Sequence, residues 1–228
     1  MLSNAKRCLV LAAHADDETI GIGGTIAKLK NKGCQVRVAI ATDGTSSQYH
    51  GNQDAFRRRQ MQAEQAMSIL GVDEIIYGPF PDMRLDEIPH IEINKWMESI
   101  ISDQAPDLLM VHHPSDVNFD HKCLFQSAMV ASRPTPGQSI RTVLCYYVNS
   151  STEWGMLHPN ESFRPQIFVN ISTTLKTKLQ AFLAYKDELR DAPHPRSLES
   201  LEITARYYGS ITGFDAAEPF TIVRGLWT

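Results

Sequence analysis

Two polar clusters in this 228-residue chain each follow a short apolar run. The cluster His-Ala-Asp-Asp-Glu at 14–18 follows the run CLVLAA at 8–13, and the cluster HPSDVNFDH at 113–121 follows the run LLMV at 108–111. Short apolar runs are consistent with buried strands, and open α/β sheets place their sites at the carboxyl ends of such strands. Two histidines and an aspartate around a divalent metal, with a spare carboxylate beside them, are the groups of a metal-assisted hydrolase. The two clusters therefore predict a site of this kind.

Three side chains from the two clusters form the predicted metal site. His14 follows its strand directly, Asp17 lies three residues further on, and His121 would come from the loop after the adjacent strand. Three nitrogen and oxygen ligands that leave a fourth position to water are typical of catalytic zinc, and the mixed ligand set also suits iron or manganese. The alternative is that the two histidines are independent polar residues at strand ends.

Asp16 is the spare carboxylate, and we expect it to be the general base. Bound zinc lowers the pKa of its water to about 7, and a neighbouring carboxylate can remove the proton as attack occurs. Because Asp16 and Asp17 are adjacent on a turn, one can point to the water while the other points to the metal.

Strand and helix patterns alternate along the chain. The predicted strands are 7–13, 35–41, 74–77, 107–112, 142–148, 166–169 and 220–223. The predicted helices are 19–32, 54–70, 91–103, 122–132, 174–189 and 198–208. This alternation predicts an α/β fold with a Rossmann-like open, mostly parallel sheet and helices on both faces. We expect a single domain over residues 1–228.

A glycine-rich segment, Gly21-Ile-Gly-Gly24, follows the first polar cluster. The dinucleotide-binding fingerprint needs G-x-G-x-x-G at the turn from strand to helix. Here Ile26 takes the last position, and polar residues separate the strand from the glycines. We therefore expect these glycines to serve close packing of the helix.

Composition and charge argue against several classes of protein. The formal net charge is −4 and no cluster of five Lys or Arg occurs, so no nucleic-acid partner is expected. No apolar stretch approaches 18 residues, so no transmembrane segment is expected. The four cysteines lack metal or disulfide spacing, and the chain enters a strand without room for a signal peptide. These features predict a cytoplasmic protein with reduced cysteines. They are compatible with a homo-oligomer.

The two clusters also resemble those of a known family. The first resembles the AHPDDE motif of the LmbE-like (PIG-L) zinc-dependent N-deacetylases, and the second resembles the family segment that ends in Asp-His. Between them, Arg59, Ala66 and Leu70-Gly-Val72 resemble the family's helix of the form R…A…LGV. The resemblance implies a Zn²⁺-dependent hydrolase that removes the acetyl group from N-acetylglucosamine and related amino sugars.

Two later segments bear on the substrate. SSTEW at 150–154 and PHPRS at 193–197 resemble segments of bacterial members tied to surface polysaccharides. This implies a small-molecule acetamido sugar or sugar conjugate, as a polysaccharide or glycoconjugate precursor, with release of acetate. Two alternatives stay open: an amidase on another acyl amide such as a thiol-sugar conjugate, and a metal- or carbohydrate-binding protein without catalysis. A spare carboxylate beside a complete ligand set argues against the second, since binding alone does not need it.

One position departs from the better-known members of the family. They often have a histidine three residues before the zinc histidine, where this chain has Asn118. An asparagine amide can donate a hydrogen bond to a tetrahedral oxyanion, but it cannot protonate the leaving amine. That proton would come from Asp16 or from another histidine such as His113. Asp120 is expected to orient a neighbouring histidine or amide, to cap the following helix, or both.

The remaining candidates concern the substrate. Arg59 can reach an anionic or hydroxyl-rich group, unless it is a solvent-exposed member of the Arg57–Arg59 run. The Trp154 indole suits the apolar face of a pyranose and Arg196 suits phosphate or hydroxyls; the alternatives are a core tryptophan and an inter-helix loop or subunit contact. The predicted substrate-binding residues are Arg59, His113, Asp116, Trp154, His194 and Arg196.

Overall fold

Seven strands and six α-helices make up the regular structure of the described residues, 4–44, 53–155 and 162–226, in a computed structural model. The strands are β1 (Arg7–Ala12), β2 (Gln35–Thr42), β3 (Glu74–Phe80), β4 (Leu108–His112), β5 (Thr142–Tyr146), β6 (Ile167–Asn170) and β7 (Ala217–Gly225). The helices are α1 (Asp17–Asn31), α2 (Gln53–Leu70), α3 (His90–Gln104), α4 (Phe119–Ala131), α5 (Leu175–Phe182) and α6 (Leu198–Ser210). Two short 3-10 helices lie at Leu85–Glu87 and Thr152–Gly155.

The strands form one mixed sheet in the order β3-β2-β1-β4-β5-β7-β6. Strands β1 to β5 pair in parallel, whereas β7 is antiparallel to both β5 and β6. The predicted mostly parallel α/β sheet is confirmed. Strand β1 lies in the middle between β2 and β4, so the residues after β1 and β4 leave the sheet side by side at its carboxyl edge.

Apolar side chains cover both faces of the sheet. On β1, Val10 and Ala12 face a core that includes residues of α1, α2, α5 and α6, while Leu9 and Leu11 face a second core with residues of α3 and α4. A parallel strand buried on both faces needs apolar residues at every position. The continuous run at 8–13 follows from this arrangement, and it makes the sheet edge a rigid platform for the polar residues that come next. No helix in the described ranges has the length and apolar character that crossing a membrane requires.

Close packing explains the glycines of α1. A Cβ atom on Gly21 would lie 2.7 Å from a ring carbon of Tyr146, and one on Gly24 would lie 2.8 Å from Ile171. The prediction of a packing role is therefore confirmed. The helix is kinked at Ile22, whose backbone is not helical.

Two helices differ from their predicted bounds by three residues or more at one end. Helix α4 begins three residues earlier than predicted because Asn118 caps it, with its Oδ1 accepting a hydrogen bond from the Asp120 N–H at 2.9 Å. Helix α5 ends at Phe182 rather than at Leu189. The chain then turns so that Tyr185, fully buried, donates a hydrogen bond from its hydroxyl to Glu18 at 2.8 Å. This contact spans most of the chain, which is why local periodicity does not reveal it.

Candidate metal centre and active site

Three side chains from two adjacent strand ends converge at the carboxyl edge of the sheet. His14 follows β1, Asp17 begins α1, and His121 lies in the first turn of α4. Each offers a ligand atom within 4.8 Å of the others. Asp17 Oδ2 is central, since it lies 3.3 Å from both His14 Nδ1 and His121 Nε2. The structure thus brings together the three predicted ligands.

The chemistry of this cluster fits a metal ion. His121 Nε2 is buried and makes no hydrogen bond to any described residue, although Asp17 Oδ2 is nearby. A buried ring nitrogen without a hydrogen bond is costly, and a metal ion on its lone pair would satisfy it. The set of two imidazoles and one carboxylate matches catalytic sites that leave a coordination position open.

Two other groups of side chains could also hold a metal: His112, Asp116 and His121, and His14, Asp82 and Asp120. Each shares one histidine with the first cluster. In both, a carboxylate is already engaged, because Asp116 accepts hydrogen bonds from the hydroxyls of Ser151 and Thr152, and Asp120 accepts them from backbone N–H groups. Asp17 Oδ2 also accepts a hydrogen bond, from His14 N at 2.8 Å, but Asp116 and Asp120 each accept hydrogen bonds at both carboxylate oxygens. The cluster of His14, Asp17 and His121 is the better metal site on this ground.

Asp120 holds the His14 ring in place. Its Oδ2 lies 3.1 Å from His14 Nε2, while Met83 N and Leu85 N donate to its two oxygens at 2.8 and 3.0 Å. Carboxylates placed behind metal-binding histidines fix the tautomer and orientation of the ring. This geometry fits the predicted orienting role. The predicted capping role of Asp120 is wrong, because Asn118 supplies the cap and Asp120 provides the N–H that is capped.

Asp16 lies next to the cluster in a strained turn. It stands at the N-cap position of α1 with φ 143°, outside the usual range of non-glycine residues, and such outliers persist where the surroundings enforce them. Burial raises the pKa of Asp16 to about 7, with Asp17 also raising it and the Arg196 and Arg59 guanidiniums opposing. A carboxyl that titrates near neutrality is suited to general acid–base catalysis.

Strong electrostatic coupling links the predicted ligands. Burial alone would raise the pKa of Asp17, but the neighbouring His121 and His112 rings outweigh it and lower the pKa well below the ordinary value. Burial would lower the pKa of His121, but the carboxylates of Asp17 and Asp116 raise it to about 9. Because the raised pKa leaves the His121 ring protonated near neutrality, a divalent cation would have to displace that proton, so metal binding is expected to depend on pH.

A polar cavity of about 110 Å³ opens beside the cluster. Its lining residues in the described part of the chain are His14, Ala15, Asp16, Gly44, Arg59, Asp82, Met83, Asn118, Glu188 and Arg196. Sites that enclose a whole small molecule measure about 300–1,000 Å³. This cavity is therefore sized for one group of a larger substrate.

Asn118 caps α4 and also lines the cavity. Its Oδ1 accepts the capping hydrogen bond of α4, and its Nδ2 donates to Met83 Sδ at 3.5 Å. Because the cap fixes the oxygen, this orientation leaves the N–H₂ group as the donor, and both Asn118 and Met83 line the cavity. This orientation is compatible with the predicted hydrogen bond to an oxyanion.

Two arginines meet at a carboxylate that the sequence did not indicate. Glu188 Oε2 lies 2.5 Å from Arg196 Nη1, and Glu188 Oε1 pairs with Arg59 Nη2. Arg196 Nη1 also lies 3.5 Å from Asp16 Oδ2. Arg59 and Arg196 both line the cavity, and their role in substrate binding stays a prediction. Glu188 lies far along the chain from Arg59, in a segment predicted as plain helix, and no local motif marks it.

His112 is a second residue that the sequence analysis missed. It ends β4, is fully buried, and stacks on the His121 ring with centroids 3.7 Å apart. Its Nε2 accepts a hydrogen bond from Ala13 N at 2.9 Å. Burial and the neighbouring His121 lower its pKa to about 3, so it is neutral. Its position directly before the second polar cluster could have indicated that His112 lies at the site.

The structure corrects the predicted substrate role of Asp116 and His113. Asp116 has no exposed surface and lies 3.0 Å from His121 Nδ1, so it lies behind the metal site. His113 is buried with its Nδ1 accepting from Ser115 N at 3.3 Å and its ring edge against Phe163. Neither belongs to the described lining of the cavity. Contacts with distant residues, Ser151 and Thr152 for Asp116 and Phe163 for His113, hold both side chains inward.

Trp154 and His194 are also absent from the described cavity lining. Trp154 lies on a short 3-10 helix and is 55% exposed, so the alternative of a core tryptophan is wrong as well. His194 lies in an exposed loop and accepts a hydrogen bond from Arg196 N at 3.0 Å. The structure thus brings one of these C-terminal candidates, Arg196, to the cavity and leaves the other two outside its described lining.

Several known proteins are similar to this chain in sequence and in fold. The model of the PIG-L family, described as GlcNAc-PI de-N-acetylase, matches residues 9–132. An Escherichia coli (strain K12) protein, uncharacterized deacetylase YaiS, is 30% identical over 198 residues, covering 82% of this chain and 95% of that protein. This chain belongs to the PIG-L family. The predicted family is confirmed, and so is the predicted enzyme class, an N-deacetylase.

Two relatives named for one disaccharide extend the likeness. The diacetylchitobiose deacetylase of Thermococcus kodakarensis is 26% identical over 247 residues, covering 99% of this chain and 86% of that protein. The solved structure of N,N'-diacetylchitobiose deacetylase from Pyrococcus horikoshii has a TM-score of 0.79 at 23% identity, covering 98% of this chain and 86% of that one. The structural likeness shows that the PIG-L α/β fold extends over nearly the whole chain.

Proposed function

We propose that this PIG-L protein hydrolyses the N-acetyl group of an acetamido sugar or sugar conjugate and releases acetate, with Zn²⁺ held by His14, Asp17 and His121. One observation carries the proposal: the three ligand atoms and the buried carboxyl of Asp16 lie at the same edge of the sheet, beside one cavity. The names of the relatives, deacetylases of acetylated sugars, support the class of substrate.

The residues divide the reaction among them. A zinc ion held there would polarise the acetyl carbonyl and increase the acidity of a water molecule. Asp16 accepts a proton from the attacking water and returns it to the sugar nitrogen as the C–N bond breaks, so that water and amide become acetate and amine. The Asn118 amide donates a hydrogen bond to the oxyanion. Asp120 holds the ring of His14 at 3.1 Å.

The cavity suggests how the substrate lies. Its small volume suits the acetamido group, while Arg59 and Arg196 are placed to donate hydrogen bonds to sugar hydroxyls or an attached anionic group. Glu188 pairs with both guanidiniums and offsets one of their two positive charges, which favours a hydroxyl-rich or singly charged substrate over a highly charged one. A glycoconjugate or polysaccharide precursor in the cytoplasm meets these conditions.

A panel of acetylated compounds tests the proposal. Zinc-loaded protein is incubated with N-acetylglucosamine, diacetylchitobiose, a nucleotide-linked N-acetyl sugar and an acylated thiol-sugar conjugate, and acetate and free amine are measured together. Equal amounts of acetate and amine are expected from at least one acetamido sugar, with Asp16→Asn as the control. Release from the thiol-sugar conjugate alone would favour the amidase alternative. Binding without release would show a non-catalytic protein.

A further inference from the structure

Two hydrogen-bond networks meet at one turn behind the candidate site. This serine turn, Ser150–Gly155, was linked to the sugar pocket only by resemblance. Ser150 has φ 72°, in the left-handed region. The N–H groups of Ser150 and Ser151 donate to the two oxygens of Glu153, at 2.6 and 3.1 Å. The carboxylate thereby fixes the turn in a conformation that a serine rarely adopts.

One side of the turn leads to the predicted metal ligand His121. The hydroxyls of Ser151 and Thr152 donate to Asp116, the latter at 2.9 Å. Thr152 Oγ1 also accepts from Val148 N, so its proton is directed to Asp116. Asp116 Oδ2 lies 3.0 Å from His121 Nδ1, although the ring N–H does not point straight at it. We call this chain of contacts the metal arm.

The other side of the turn leads to Asp16. Ser150 Oγ accepts a hydrogen bond from Arg196 Nε at 2.7 Å, and Arg196 Nη1 lies 3.5 Å from Asp16 Oδ2. We call these contacts the base arm. The two arms begin on adjacent residues, so one rigid peptide unit joins them.

The turn also packs tightly against the loop that carries Asp116. A Cβ atom on Gly155 would lie 1.7 Å from the carbonyl oxygen of Ser115. No side chain fits there, so the backbone of the turn is held directly against the second polar cluster. A shift of the turn would therefore move Asp116 with it.

We infer that the serine turn is a positioning element that sets His121 and Asp16 in register with each other. The inference rests on the proposed function for the roles of these two residues. Carboxylates behind metal-binding histidines fix the orientation of the ring, and the groups that hold such carboxylates are part of the same support. Asp116, Ser151 and Thr152 support the metal ligand, and Ser150 supports the arginine beside the base. None of the four is a catalytic residue.

Substitutions in the metal arm test the first half. Thr152→Val keeps the size of the side chain and removes the hydroxyl, whereas Thr152→Ser keeps the hydroxyl. Thr152→Val is expected to weaken zinc binding by about 10–100-fold, and Thr152→Ser to stay close to wild type, as measured by competition with a chromophoric chelator. Ser127→Ala is the matched control, because Ser127 is buried and its hydroxyl has no hydrogen-bond partner among the described residues; it should bind zinc normally.

Substitutions in the base arm test the second half. Ser150→Ala and Ser150→Gly remove the same hydroxyl, and glycine also suits the left-handed backbone. Both are expected to keep the zinc affinity of the wild type and to lower kcat by roughly 10-fold through misplacement of the base. Agreement between them assigns the effect to the hydroxyl rather than to backbone strain.

Three results would overturn the inference. Wild-type zinc affinity in Thr152→Val would show that the metal arm does not position His121. Wild-type kcat in Ser150→Gly would show that the base arm does not position Asp16. Equal losses of melting temperature and zinc affinity in variants of both arms would mean that the turn only stabilises the fold. A wild-type protein that binds zinc but releases no acetate refutes the proposed function instead, and the zinc measurements on Thr152 still decide the metal arm.

Discussion

The strand-end region (residues 13–17 and 112–121) and the C-terminal region (residues 150–197) both contribute to the candidate site, but in different ways. The strand-end region supplies the metal-binding cluster and Asp16, and it lies within the residues that match the PIG-L family model. The C-terminal region lies outside that match and supplies Glu188 and Arg196 to the cavity. The first region holds the candidate reacting groups, and the second contributes two residues to the cavity beside them.

The two regions differ in how firmly the fold holds their residues, and so in how freely those residues can be substituted. The ends of β1 and β4 are held side by side in a sheet that is buried on both faces. The residues that directly follow these two strands therefore have fixed positions relative to one another. Glu188 and Arg196 reach the cavity from turns. Loops tolerate substitution while a rigid scaffold holds the chemistry, so we expect chemistry to depend on the first region and substrate preference on the second.

The largest effect is expected in the strand-end region, at Asp16. Asp16→Asn keeps the size of the side chain but cannot accept the proton, so turnover should fall by about 10²–10⁴-fold with the bound metal retained. Steady-state kinetics and elemental analysis on the same sample check this. Near-normal turnover would mean that another residue is the base.

Asn118 should show the next largest effect, and its two roles can be separated. Asn118→Ala removes the cap and the donor, so kcat should fall by about 10²–10³-fold and the free energy of unfolding by about 0.5–2 kcal/mol. Asn118→Asp keeps a capping oxygen without the donor, and it should lose kcat while keeping the melting temperature. If Asn118→Asp keeps its turnover, the oxyanion role fails.

Smaller effects are expected from the C-terminal residues outside the described cavity lining. Trp154→Ala and His194→Ala should change kcat little, with any effect confined to KM for extended substrates. Arg196→Lys, which keeps the charge but not the planar guanidinium, should change kcat/KM more than either. The reverse order would restore the predicted sugar-binding role of Trp154 and His194.

The smallest effect on activity is expected at His113, which should instead influence stability. Burial lowers the pKa of His113 to about 4, with Asp116 opposing. The unfolded chain, with an ordinary pKa near 6.5, therefore binds more protons between about pH 4 and 6.5. The free energy of unfolding should rise with pH across this window, by about 2–3 kcal/mol for this group. Denaturant unfolding of His113→Gln should show a smaller rise, and an unchanged pH dependence would refute the assignment.

The fold was predictable from sequence, and so was the convergence of the three candidate metal ligands, for a physical reason. The apolar runs and their periodicity indicate the strands and helices locally. The clusters at 14–18 and 113–121 come directly after two of those runs in the sequence. The bounds of α4 were missed because Asn118 serves as both cap and cavity residue.

The remaining site residues could not be read from local sequence. Glu188 reaches the cavity because α5 ends at Phe182 and the chain then turns back toward α2. The buried hydrogen bond between Tyr185 and Glu18 stabilises this turn. Asp116 was predicted to face the substrate, and only the hydroxyls of Ser151 and Thr152 reveal that it faces inward. Contacts over long sequence separations decide both cases.

A zinc titration of metal-free protein tests the central claim most directly. Acetate release is followed as zinc is added to protein stripped by a chelator, for the wild type and for His121→Ala. We predict an inactive stripped protein, a rise in activity that levels off at about one zinc per chain, and no recovery in His121→Ala at the same zinc concentration. Full activity of the stripped wild type, or normal recovery of His121→Ala, would contradict the assignment of the metal centre.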